Sequence, residues 1–102
     1  MSMVDYNPSM NIRFYIDPET GLPHIERHGV DGDEVADVLA RPLEDRPGTE
    51  GARVAVGRTR AGRYLRVIYV PDATPGAVFV ITAYQLGSKS LRALRRRRRK
   101  KV

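Results

Sequence analysis

The sequence predicts an α+β domain in which two N-terminal helices and a C-terminal helix pack on a mostly antiparallel sheet, in the order β-α-α-β-β-β-α. Three observations lead there. Helix start and stop signals are confined to residues 23–42 and to the stretch from Ser88 onward. The apolar period changes from about 3.6 to 2 near residue 52. Three alternating runs then follow, joined by short turn sequences, which makes an antiparallel meander. Strands that run together and helices that run together belong to α+β architectures, with the helices on one face of the sheet.

The elements follow in chain order. Residues 1–11 are polar and aperiodic and are expected to form a flexible N-terminus. Residues 12–16 (IRFYI) read as a short strand, and Asp17-Pro18-Glu19-Thr20-Gly21 is turn chemistry. Residues 23–28 read as a short helix, because Pro23 suits a first helical position and Gly29 a left-handed stop. A second helix starts at Asp31, with Glu34 three residues on as in a capping box and Val30 placed to staple onto Val35. Val35, Val38 and Leu39 form its apolar stripe, and Pro42 ends it. Residues 42–51 read as a polar loop. Residues 52–59, 63–70 and 77–84 read as strands, with turns at residues 60–62 and 71–76. Ser88 caps a last helix with Leu91 and Leu94 on one side, and the arginine run from Arg95 continues that helix or frays. The domain is expected to span residues 12–94, with a basic tail at 95–102.

At 102 residues one domain is the natural count. Hydrophobic residues at 41% and charged residues at 29% are ordinary globular usage and argue against a disordered chain. No apolar run approaches the roughly 18 residues of a membrane span, so no membrane partner is expected. The first residues lack the basic region and apolar stretch of a secretory signal. Cysteine is absent, which excludes disulfides and thiolate zinc sites. A cytoplasmic location is the resulting expectation.

The net charge of +6 is unevenly divided. Residues 1–50 carry −7, residues 51–88 carry +4, and residues 89–102 carry +9 with no acid among them. A polyanion partner is therefore argued from the tail and from one basic region of the body, not from the overall pI. Arg92, Arg95, Arg96, Arg97, Arg98, Arg99, Lys100 and Lys101 are the expected phosphate contacts of that tail, which position a nucleic acid without reading its sequence.

Alternation divides the strand residues between two faces. Val54, Val56, Leu65, Val67, Tyr69, Phe79, Ile81 and Ala83 are expected to meet the helices. The other face is expected to be open and to gather Arg53, Tyr64, Arg66, Thr82 and Tyr84, in a register pairing Tyr64 with Tyr84 and Arg66 with Thr82. Arg58 and Arg63 then sit at the rim beside the first turn. Arginine and tyrosine on an open sheet suit RNA, by bidentate phosphate pairing and base stacking. Cross-strand tyrosine pairs and arginine stems also stabilise sheets without any ligand. His24 and His28 are four residues apart. No third metal ligand accompanies them, and two readings are left: a proton-transfer role for one of them, or two surface or cap histidines with no such role.

Ile16-Asp17-Pro18, Arg27-His28-Gly29-Val30 and Glu34-Val35 resemble the opening of BrnT-type toxins of the RelE/ParE-like superfamily of toxin–antitoxin systems. Gly57-Arg58-Thr59, residues 62–69 (GRYLRVIY) and Ile81-Thr82-Ala83-Tyr84 resemble more closely a toxin-like family of that group, often described only as a domain of unknown function. The resemblance covers residues 13–94. It implies a RelE-like fold, RNA cleavage without a metal or other cofactor, possible action on ribosome-associated mRNA, and a cognate antitoxin protein as partner. BrnT-like chains carry Ser-Ala-Arg where this one has Thr82-Ala83-Tyr84, and Glu and Tyr in the last helix where this one has Leu91, Arg92 and arginines. The expected catalytic residues are Arg66, Tyr84, His28 and Arg58, and the expected RNA contacts in the body are Arg53, Arg63 and Tyr64. The alternative from another class is a non-catalytic nucleic-acid- or protein-binding module.

Overall fold

The computed structural model describes residues 11–100. Apart from Asn11, the expected flexible N-terminus lies outside the described residues, as does Lys101. Five strands form one mixed sheet: β1 (Asn11–Phe14), β2 (Glu44–Pro47), β3 (Arg53–Arg58), β4 (Tyr64–Pro71) and β5 (Ala77–Gln85). Their spatial order is β1-β5-β4-β3-β2. β1 pairs with β5 in parallel, and the other three pairings are antiparallel. A 3-10 helix (His24–His28), α1 (Gly32–Ala40) and α2 (Ser88–Lys100) complete the fold. The α+β class and the meander of β3, β4 and β5 agree with the sequence.

The helix signals act locally and hold. Gly29 ends the 3-10 helix at φ 69°, a left-handed conformation that carries no steric cost for glycine. Asp31 and Glu34 form a complete capping box, with the Asp31 carboxylate 2.9 Å from the Glu34 amide and the Glu34 carboxylate 3.1 Å from the Asp31 amide. Val30, Val35 and Val38 are buried, while Leu39 is half-buried against the same core. The segment expected to be a first α-helix is a single 3-10 turn-and-a-half, so only two α-helices are present among the described residues.

Three expectations require correction. Residues 42–51 are not all loop, because Glu44–Pro47 pairs with β3 as an edge strand. Its polar composition and terminal proline are those of an edge rather than of a core strand. The second correction concerns the helices, which cover both faces of the sheet. Ile25, Val30, Val35 and Val38 pack with Ala55, Leu65, Val67, Tyr69, Val80 and Ala83 on one face. Leu94 and Leu86 pack with Val56 on the other, with Leu43, Val54, Tyr64 and Leu91 around them.

The third correction concerns the faces themselves. Leu65 and Val67 are fully buried as expected, but their neighbours on β3 are Gly57 and Ala55, so Val54 and Val56 lie on the α2 side with Arg66 and Ile68. Arg53 pairs with Tyr69 and lies on the α1 side, away from Arg66. On β5 the register shifts at Ile68/Tyr69, so Val80 enters the core, while Phe79 pairs with Val70 on the α2 side. Arg66 pairs with Tyr84 and Ile68 with Thr82, two residues from the expected register; an even shift keeps each residue on its face. The sheet face carrying Tyr64, Arg66, Thr82 and Tyr84 therefore exists, with α2 covering one end of it.

Candidate active site

The sheet and the 3-10 helix together bring His28, Tyr84 and Arg66 into one cluster. Tyr84 and Arg66 are cross-strand neighbours, and the Arg66 guanidinium lies 5.9 Å from the Tyr84 ring centroid. The His28 ring meets the Tyr84 ring edge-on at 5.9 Å, and His24 meets His28 edge-on at 5.4 Å. Strand β1 ends at Phe14, alongside Val80 of β5, so the outer side of β5 beyond that point is taken up by the 3-10 helix. Ile25 is buried in the core and anchors the helix, while His28 meets the Tyr84 ring and His24 packs against His28.

Both ends of the histidine segment are tied down. Asp17 is buried, accepts the Glu19 amide at 2.9 Å, and binds the Arg27 side chain. It also lies 3.4 Å from His24 Nδ1. The Glu19 amide and Arg27 hold the Asp17 carboxyl below the usual carboxylate range, with a smaller part from His24. At the other end Arg63 donates to the Gly29 carbonyl at 2.8 Å and to both Glu34 carboxylate oxygens at 3.0 Å. Its Nε donates to Gln85 at 2.9 Å, next in sequence to Tyr84. Arg63 therefore ties the 3-10 helix, α1 and β5 together through its Nε and Nη1, instead of standing free at the turn.

The other expected residues separate into distinct groups. Arg53 is paired with Asp45 at 2.9 Å on the α1 side, beside Tyr69, whose hydroxyl donates to Asp45 at 2.6 Å. Burial, reinforced by that hydrogen bond, pushes the Tyr69 phenol up to about 12. Arg58 is exposed and lies over Tyr64 at 5.9 Å, not over Tyr84. Arg95 lies over the same Tyr64 ring at 5.9 Å. α2 runs unbroken through Arg95 to Lys100, so the arginine run continues the helix. Arg97 grips Glu44 with two hydrogen bonds of 2.7 and 2.9 Å, and Arg98 donates to the Leu43 carbonyl at 3.0 Å. Arg92, Arg96 and Arg99 are exposed.

The arrangement has a consistent charge logic. Acids pin arginines in Arg13–Asp72, Arg27–Asp17, Arg53–Asp45, Arg60–Asp37 and Arg63–Glu34. Among the described residues no carboxylate pairs with Arg66, Arg58, Arg92, Arg95, Arg96 or Arg99. No three His, Cys, Asp or Glu side chains converge as a metal-ligand set among the described residues. The Thr82 hydroxyl oxygen, on the same face as Tyr84, is buried without a hydrogen-bond partner. No described helix is long and apolar enough to cross a membrane.

Asp17, Arg27 and Glu34 escaped the sequence reading as site residues. Asp17 carried a signal in its Asx-turn chemistry, but nothing in the spacing marks Arg27 as its partner ten residues on. Set against protein-family models, curated proteins and solved structures, the chain matches none of them.

Proposed function

We propose that this chain is a metal-independent ribonuclease of the toxin–antitoxin kind, acting in the cytoplasm and restrained by a cognate antitoxin. The observation that supports it most is the contact series His28–Tyr84–Arg66, in which Arg66 has no carboxylate partner among the described residues. The sequence resemblance to BrnT-like and RelE-like toxins points the same way.

Cleavage without a metal requires the 2′-oxygen to attack the adjacent phosphorus. The 2′-oxygen–phosphorus bond forms as the bond from phosphorus to the 5′-oxygen breaks. A base takes the 2′-hydroxyl proton, a cation holds the phosphoryl oxygens, and an acid protonates the departing 5′-oxygen. Arginine stays protonated, so Arg66 is cast as the phosphate clamp. His28 is the base, because a neutral imidazole accepts a proton near neutrality. Tyr84 lies between them and donates to the leaving oxygen. It is restored by the proton that His28 has gained, so the site ends as it began. Asp17 and Arg63 are positioning residues that hold the His28 segment.

Purified protein incubated with single-stranded RNA in excess chelator tests this reading. The expected products end in 2′,3′-cyclic phosphate. Expression of the chain should slow growth, and co-expression of its antitoxin should restore it. RNA that stays intact both in the chelator assay and in cells that make the folded protein would leave the binding-module alternative.

A further inference from the structure

We propose that Tyr64, Arg58 and Arg95 form a second phosphate subsite, which holds the nucleic-acid phosphate next to the one at Arg66. The inference rests on the ribonuclease reading only for what happens at the first phosphate.

Two guanidiniums from different elements, β3 and α2, converge on the Tyr64 ring, each 5.9 Å from its centroid. Like charges gathered at one ring repel, and an anion between them relieves the repulsion. In most of the body the acids of this chain do that work, but no described carboxylate pairs with Arg58 or Arg95. Asp37, which shares a hollow with Arg58, is committed to Arg60 through its amide at 3.0 Å and its Nε at 3.5 Å. Gly62 makes room for the Arg58 head, since a Cβ there would come within 3.2 Å of the guanidinium.

Beside the ring opens a hollow of about 380 Å³, lined by Leu43, Tyr64, Leu94, Arg95, Arg98 and Arg99. Its floor is apolar and its charged lining is cationic only. That combination suits a nucleotide, whose base rests on apolar or aromatic surface while its phosphate takes guanidinium donors. Tyr64 and Arg66 are two positions apart on β4 and face the same side, a separation of about 6.6 Å along a strand. That is the scale of one nucleotide of extended backbone. A phosphate at Tyr64 therefore continues the path of one at Arg66, toward the remaining cations of α2.

The test is binding, not cleavage, so that the two readings fail separately. A short single-stranded 2′-O-methyl oligoribonucleotide, which lacks the attacking hydroxyl, is titrated by fluorescence anisotropy at several salt concentrations. The Arg58→Ala, Arg95→Ala double variant should bind about 10- to 100-fold more weakly, as for lost hydrogen bonds to a charged group. Its log–log salt slope should fall by about 0.7, the single-strand contribution of one phosphate. The Arg58→Lys, Arg95→Lys variant should keep the slope and lose part of the affinity, because lysine retains charge without the planar fork. Unchanged affinity and slope in the alanine variant overturns the subsite, and so does a wild-type protein that fails to bind the oligonucleotide. Equal competition by a poly-glutamate peptide of matched charge also overturns it, by making this a surface for an acidic protein. An intact subsite with no cleavage of ordinary RNA would instead count against the ribonuclease alone.

Discussion

Asp17 stands in a turn sequence yet is 5% exposed, and its carboxylate is held by the Glu19 amide, the Arg27 guanidinium and the His24 ring. Such a carboxylate is favoured in its charged form by the fold, so its pKa in the folded chain lies below its unfolded value. The stability it contributes is complete above the ordinary carboxylate pKa of about 3.9 and is lost as pH falls through the folded value. Asp17→Asn should therefore destabilise the protein at neutral pH, with the deficit shrinking below about pH 4. Urea unfolding of both proteins at a series of pH values measures this, and a deficit constant down to pH 2 would contradict it. The same substitution should loosen the His24–His28 segment. Arg66, by contrast, shows how a residue can be placed correctly from alternation alone: its neighbours Leu65 and Val67 are buried whatever covers the other face.

At the scale of elements, what was legible was what is encoded locally. The Asp31–Glu34 capping box and the Gly29 stop depend on residues three or four apart, and the sequence displays them directly. Strand faces were legible only where one set of alternating residues is clearly more apolar. In β3 both sets qualify, Val54 and Val56 against Ala55 and Gly57, because helices cover both sides of the sheet. Alternation loses its meaning in a strand buried on both faces. The irregularity at Ile68/Tyr69 then resets the frame of β5, and no composition signal marks it. Strand β2 was missed because EDRP has the makeup of a loop and gains its place by pairing with β3. Helix α2 carries the clearest energetic consequence. Leu94 is 1% exposed in a small cluster with Leu86 and Val56. Leu94→Ala should cost about 2–5 kcal/mol by the transfer and cavity terms of a buried leucine. It should also free Arg95 from Tyr64. Thermal unfolding checks the first effect, and a loss within about 0.5 kcal/mol, typical of a surface site, would mean that α2 does not pack as described.

For the whole molecule, the decisive feature is how charge is distributed after folding. The acids of residues 1–50 reach across the fold to neutralise arginines of the later half, as in Glu34–Arg63, Asp37–Arg60, Asp45–Arg53 and Glu44–Arg97. Among the described residues they leave Arg58 and Arg66 of the sheet and Arg92, Arg95, Arg96 and Arg99 of α2 without a carboxylate partner, a set that the linear charge count alone did not reveal. The histidine segment closes that face at one end, and α2 flanks it at the other. The central claim is that Arg66 and Tyr84 act there on RNA with His28 beside them. The most direct test compares RNA cleavage in excess chelator by the wild type with that by the Arg66→Ala, Tyr84→Phe double variant, after matching thermal unfolding profiles have established that both are folded. Loss of one transition-state charge contact typically costs a factor of about 100 to 1,000, so the double variant should be slower by at least that much. A folded double variant that cleaves RNA at the wild-type rate would contradict the account.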